Sequence, residues 1–504
     1  MSSIGSAGSR PSSSPQTRTV EPKVAQKSPS EARPQPQGNA VKNAVAGRFR
    51  DGFDTAPRGA APSRKPVLSE VDGFVAGAGQ KAEAPAPASP PSSARAVAPT
   101  VSTDAAGRTV VELSSGNDTA TVSQTADGGL QVRSGGNTVT LTAEQARTAV
   151  IRGGDGNDTI TVDASVTQGV RIEGGAGDDT LVGGAGDDML DGGEGADVIR
   201  GGAGNDSLRG AGGDDYLDAG AGDDRLYGGE GRDVMYGLDG NDRMSGGAGR
   251  DYLDGGAGSD FVSGGDGDDQ VLGGRGDDAL VGGRGNDAVA GGLGRDTVRQ
   301  DAGDDTLYVQ EDDDVRELEA GDSRQVVDLS DAETLGRSVS VTGNADFTAR
   351  VQSDLDALRS LPEGQALLRR LDGSGRSTTI RETTRGNTAG ATNFNDGYMG
   401  TDGKPGKGTD SQVNYNPSRI SLGDEEWMSR PPVVGLFHEL IHASDFVTGT
   451  LPRGETDGVI NVEQSTVGLP YDHDGDPSTP RIEADRSTEN DLRDELNLPT
   501  RPRY

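Results

Sequence analysis

A nine-residue period runs unbroken from Gly174 to Val309 and constrains what this part of the chain can become. Its frame is Gly-Gly-x-Gly-x-Asp-x-U-x, with U a large apolar residue. The sixth position is Asp179, Asp188, Asp197, Asp206, Asp215, Asp224, Asp233, Asp242, Asp251, Asp260, Asp269, Asp278, Asp287, Asp296 and Asp305. That is (305 − 179)/9 + 1 = 15 frames, with no aspartate missing. The eighth position is apolar in every frame, from Leu181 through Met235 and Val262 to Leu307. One large apolar side chain in nine cannot close a core within one repeat. Stacked repeats can, if each makes a tight turn and a short strand whose U side chain points inward. The glycines allow turn conformations that a Cβ would forbid.

Such turns aim carbonyl oxygens and aspartate carboxylates into the gap between coils. Hard oxygens in sets of six or more, at about 2.3–2.6 Å, suit calcium. Several structural Ca2+ ions are therefore expected, with folding and ion uptake as one event. A disordered Gly/Asp linker would need no phased apolar residue. The frame resembles the RTX (hemolysin-type) calcium-binding repeats, and that resemblance implies a parallel β-roll, an RTX solenoid. An isolated earlier copy, Gly153-Gly154-Asp155-Gly156-Asn157-Asp158 with Ile160, leads the first aspartate by 21 residues (179 − 158) and reads as a capping turn of the same roll.

The chain of 504 residues carries a net charge of −34, which argues against a nucleic-acid partner and for cation binding. Residues 1–100 hold 13 basic and 7 acidic side chains, a net of +6, so the other 404 carry about −40. Cysteine is absent, which removes disulfides and thiolate metal sites. No apolar window is long enough to predict a membrane span. Residues 1–100 are rich in Pro, Ser and Ala and poor in large aliphatics, so a disordered leader is expected there. Its opening stretch lacks the apolar core of an N-terminal signal peptide. The expected location is secreted or extracellular, with delivery into a target cell as a variant.

The multidomain reading continues in order. Residues 101–173 hold short alternating runs, such as Thr109–Leu113, Thr119–Val122 and Thr138–Leu141, expected to be strands capping an otherwise exposed solenoid end. The roll follows at 174–309. A linker or C-terminal cap spans 310–344, and an α+β, zincin-like metallopeptidase domain fills 345–504. Within that domain, Phe347 to Leu371 has helical spacing interrupted at Pro362, and Ile380 and Val413–Pro417 read as strands. The backbone of Val413–Asn416 is a candidate edge for pairing with an extended substrate.

His438-Glu439-Leu440-Ile441-His442 follows two prolines that suit a helix start. Histidines four apart share one helix face. Together they can grip one Zn2+, and Glu439 beside them can take a proton from water at that ion. A catalytic zinc wants a third protein ligand and one open position. Glu463 is the leading candidate, His473 the alternative, and Asp445 and Asp457 follow. Tyr471 or Tyr415 is a candidate donor to the oxyanion of the attacked carbonyl.

With the tail from Leu469 to Tyr504, this set resembles the M91 family of zinc metallopeptidases, which includes bacterial effector endopeptidases. The resemblance implies His438 and His442 as zinc ligands and Glu439 as the catalytic glutamate. The expected activity is a secreted zinc endopeptidase acting on a protein or peptide substrate. One rival is a non-catalytic calcium-binding surface, matrix or adhesin-like protein. Another is an effector toxin whose protease domain cuts a specific host protein. No oligomeric state is read from the sequence.

Overall fold

The computed structural model describes residues 73–74, 98–384, 386–399, 404–418, 431–452, 455–456, 459–460, 465–467 and 487–502. Nearly all of the expected leader lies outside them, as do Asp457, Glu463, Tyr471 and His473.

The repeats form a right-through parallel roll. Each coil uses two frames, 18 residues, and lays one strand in each of two sheets. The sheets have 12 and 13 strands. Register keeps U against U: Leu190, Leu208 and Leu226 align in one sheet, Ile199, Leu217 and Met235 in the other. These side chains form one buried core running from Val111 to Val309. Each such Leu or Val contributes roughly 1.5–3 kcal/mol by leaving water. In one turn Gly193 and Gly195 hold φ of 117° and 127°, a region closed to most L residues.

Antiparallel strands close the first coils. Thr119–Gln124, Leu130–Ser134 and Asn137–Leu141 make a meander on one sheet, and Thr100–Thr103 pairs with Thr109–Glu112 on the other. The isolated early copy joins the roll, since Thr159–Val162 pairs in parallel with Thr180–Val182. At the far end both sheets run past the last frame, through Asp314–Arg316 and Ser323–Val326.

The two outer faces of the roll differ. On the 12-stranded sheet the seventh and ninth positions carry exposed Arg225, Tyr227, Arg243 and Phe261. On the 13-stranded sheet they carry Tyr216, Val234, Tyr236, Tyr252, Leu272 and Tyr308, all buried. The C-terminal domain covers this second face, and its helix Ala345–Ser360 is packed between the roll and the rest of the domain. Leu238 belongs to the same core and holds φ of 74°, so backbone strain is accepted there in exchange for apolar contact. Ion pairs cross this interface. Arg350 Nη1 donates to Asp218 Oδ2 at 2.7 Å, and Arg275 grips Asp356 through two bonds of 2.6 and 3.1 Å.

The helices Ala345–Ser360 and Pro362–Gly373 break at the predicted proline, which occupies the first turn of the second helix. Behind them lies a five-stranded sheet ordered Gly73–Phe74, Thr388–Ala391, Ser411–Tyr415, Thr378–Glu382, Val339–Thr342. Ser411–Tyr415 is paired on both sides, antiparallel to Thr388–Ala391 and parallel to Thr378–Glu382. Its backbone is spent inside the sheet, so the expectation that it pairs with substrate does not hold.

Candidate metal centres

The sixth-position aspartates build a ladder along each edge of the roll. The backbone N–H of Asp179 donates to Asp197 Oδ1, that of Asp197 to Asp215, and so on by 18 residues. A parallel series runs from Asp188 through Asp206 and Asp224. Each carboxylate therefore spends one oxygen on the coil before it. The other oxygen is the informative one. In thirteen of the fifteen, all but Asp188 and Asp305, Oδ2 is buried and has no hydrogen-bond partner among the described residues. A buried unpaired carboxylate oxygen costs several kcal/mol unless a cation meets it.

Burial pushes these carboxyls up, Asp197 and Asp224 to about 7 and Asp215 and Asp251 to about 8. Repulsion from carboxylates on adjoining coils adds to the rise. Beside most first-position glycines a second oxygen joins the aspartate. A Cβ built on Gly264 would fall under 3.0 Å from both Asp269 Oδ2 and the Gly282 carbonyl. At Gly264 only glycine leaves this space open to a cation with oxygen ligands. This donor set of carboxylates and carbonyls fits calcium.

The ladder is longer than the frame count. Asp118 N–H donates to Asp158 Oδ1, and Asp158 N–H to Asp179 Oδ1. At the other end Asp313 and Asp322 receive Asp296 and Asp305. Both steps are 17 residues rather than 18, so counting by nines passes over them. Gly116-Asn117-Asp118 repeats the spelling of Gly156-Asn157-Asp158 and was a legible signal for the first rung.

The second centre lies on the helix Pro432–Thr448. A proline at its start and Gly449 at φ 73° just past its end set its limits. Residues from Pro432 through Val447 are buried, as expected for a helix apolar on most sides. His438, Glu439 and His442 are each 0% exposed. The two imidazoles stand edge to face, 85° between planes, with Nε2 atoms 3.2 Å apart. Their other nitrogens are held. His438 Nδ1 lies 2.8 Å from Glu489 Oε2, and His442 Nδ1 lies 3.2 Å from Thr466 Oγ1. Glu489 in turn accepts from Arg493 Nε at 2.7 Å, with Arg501 nearby at 3.6 Å.

Glu489 escaped the sequence reading because it sits 51 residues from His438, with no spacing to tie them. Among the described residues no group of three or more His, Cys, Asp or Glu is placed to hold a metal. Asp445 is buried and accepts from Thr450 Oγ1 at 2.9 Å, with Arg370 at 3.5 Å. Tyr415 is a strut rather than an oxyanion donor: its hydroxyl lies 2.9 Å from Asp354 Oδ2 and 2.7 Å from the Pro432 carbonyl.

Among the described residues no helix is long and apolar enough to cross a membrane. No curated protein matches the chain. Residues 336–504 match the family model Peptidase_M91, described as an effector protein. Segments within 150–298 match the model of the RTX calcium-binding nonapeptide repeat. The chain thus joins an RTX calcium-binding repeat roll to a C-terminal region that matches the effector-type Peptidase_M91 model.

Proposed function

We propose that the chain is a secreted, calcium-ordered zinc endopeptidase that cuts a protein substrate. The observation that carries this reading is the histidine pair. A tetrahedral zinc with Zn–N bonds of about 2.0–2.1 Å places two nitrogens about 3.3 Å apart. The Nε2 atoms of His438 and His442 are 3.2 Å apart, and each ring is fixed by a partner on its far side. That partnering is what metal-ligating histidines require.

His438 and His442 would hold the ion through Nε2. A third ligand comes from Glu463 in this reading, with His473 as the alternative. Zinc, when bound, polarises the scissile carbonyl and brings the pKa of water to about 7. Glu439 would accept the proton of the attacking water and return it to the leaving amine. Tyr471 is the candidate donor to the oxyanion. The fifteen repeat aspartates, Asp179 through Asp305, would hold the structural calcium ions. RTX repeats and effector domains are typical of secreted proteins, which supports action outside the producing cell.

The test is cleavage of a denatured protein mixture, with zinc and calcium present, by wild type and by Glu439→Ala. The expected result is new N-termini from wild type alone, with both proteins retaining zinc equally. Equal cleavage by both would discard the mechanism.

A further inference from the structure

The last frame of the roll departs from the rule, and the departure is chemical. Its first position is Gln300, where every earlier frame has glycine except the one that has Ala219. The preceding strand is also cut short, Thr297–Arg299 against six residues in Ala279–Arg284 and Ala288–Leu293. In most regular coils, the space beside a first-position glycine is shared by two oxygens. For Gly255 they are Asp260 Oδ2 and the Gly273 carbonyl; for Gly273, Asp278 Oδ2 and the Gly291 carbonyl. Beside Gly282 the first is Asp287 Oδ2, but the second is the side-chain oxygen of Gln300. A Cβ on Gly282 would lie under 3.0 Å from both. The glutamine amide has replaced the main-chain carbonyl that the shortened strand no longer supplies.

Gln300 is 1% exposed, and neither Oε1 nor Nε2 has a hydrogen-bond partner among the described residues. Asp287 is 0% exposed and its Oδ2 is likewise unpartnered. Two unmatched oxygens meeting at one buried point require either a cation between them or a turn of the Gln300 amide that brings its Nε2–H to Asp287. Amide carbonyls of Gln are calcium ligands in their own right.

We propose that Gln300 Oε1 and Asp287 Oδ2 bind a calcium ion at the C-terminal end of the roll, in a site completed by a side chain instead of the repeat backbone. The proposal rests on the calcium reading of the repeats. It makes a contrast that packing alone does not. If Gln300 merely fills space, replacing its unpaired amide with leucine removes a desolvation cost and raises Tm at any calcium level. If it is a ligand, the same change removes an ion.

The test uses the full chain, stripped of calcium and titrated with CaCl2, with bound ion counted by equilibrium dialysis and Tm followed in parallel. Gln300→Leu should bind one calcium fewer per chain and lose Tm only when calcium is present. Gln300→Glu, which keeps an oxygen and adds charge, should bind the full number and reach half-saturation of its weakest site at lower calcium. Wild-type stoichiometry and affinity in Gln300→Leu would overturn the site. Where that variant does not fold, an unchanged titration of Gln300→Glu overturns it equally. A wild type that takes up no calcium would overturn the repeat reading as well.

Discussion

Tyr236, on a strand of the roll, donates its hydroxyl to Asp354 Oδ1 at 2.8 Å, on the first helix of the C-terminal domain. The other oxygen of Asp354 meets Tyr415, which also touches the carbonyl of Pro432 at the start of the histidine helix. A phenol has one hydrogen, so Tyr415 cannot donate to both. Burial raises the Asp354 carboxyl to about 7, and a protonated Asp354 resolves the conflict. It then donates to Tyr415, and Tyr415 donates to Pro432. A strut of hydrogen bonds thereby links a strand of the roll to the helix of His438 and His442.

The strut predicts that the C-terminal domain depends on calcium bound by the roll. Chelating calcium from the full chain should expose residues 345–448 to hydrogen exchange and proteolysis, even with zinc in excess. Tyr236→Phe, which strips a buried acceptor of its donor, should cost about 1–3 kcal/mol in denaturant unfolding with calcium present. A domain equally protected with and without calcium would show that the roll does not support it.

The carboxylate ladder predicts an acid-stabilised state. In the calcium-free chain, burial and then inter-coil repulsion raise Asp197 and Asp206 to about 7 and Asp215 and Asp278 to about 8, against 3.8 unfolded. The native roll therefore holds protons that the unfolded chain has released between about pH 4 and pH 8. Its stability is greatest below the unfolded value and is lost as pH rises through 7 to 8. Circular dichroism without calcium should show strand signal at pH 5 and lose it by pH 8.5. Adding calcium at pH 7 should restore the signal and release protons. Equal spectra at both pH values without calcium would remove the ladder as the cause.

How far the sequence foretold this follows from what each feature needs. The roll was legible because its period is local: glycine, aspartate and U at fixed offsets decide turn, ligand and core together. His438, Glu439 and His442 were legible for the same reason, since one helical turn brings them together. The docking face was written with an 18-residue period, Tyr216–Val234–Tyr252 and Asp218–Tyr236–Asp254, which a nine-residue frame hides by averaging the two sheets. Glu489 and Asp354 were not legible, because folding alone brings them to His438 and Tyr236. The substrate-edge reading of Val413–Asn416 failed because an isolated strand pattern does not reveal whether both its edges are paired.

Leu238 separates strain from packing. At φ 74° a leucine costs about 1–2 kcal/mol that glycine would not. Its side chain is 4% exposed, in the core shared with the C-terminal domain. Leu238→Gly relieves the strain but forfeits roughly 2–3 kcal/mol of burial. Calorimetry of the calcium-loaded chain should show a modest net loss of stability. A clear gain would mean that the contact contributes less than the strain.

Glu489 is where carboxylate and histidine meet off the helix. It holds His438 Nδ1 at 2.8 Å while Arg493 Nε holds its other oxygen at 2.7 Å, all of it buried. An anionic partner on Nδ1 fixes the tautomer that leaves Nε2 as an acceptor and makes that nitrogen a better metal donor. Glu489→Gln keeps the shape and removes the charge, which also leaves Arg493 facing a neutral amide. Zinc affinity should fall about 10–100-fold, read by competition with a fluorescent chelator, with far-ultraviolet circular dichroism unchanged in calcium. Thr466→Val, which removes a neutral hydroxyl from His442, should weaken binding less. Zinc affinity unmoved in Glu489→Gln would mean that the carboxylate serves Arg493 and the packing of the tail, not the metal.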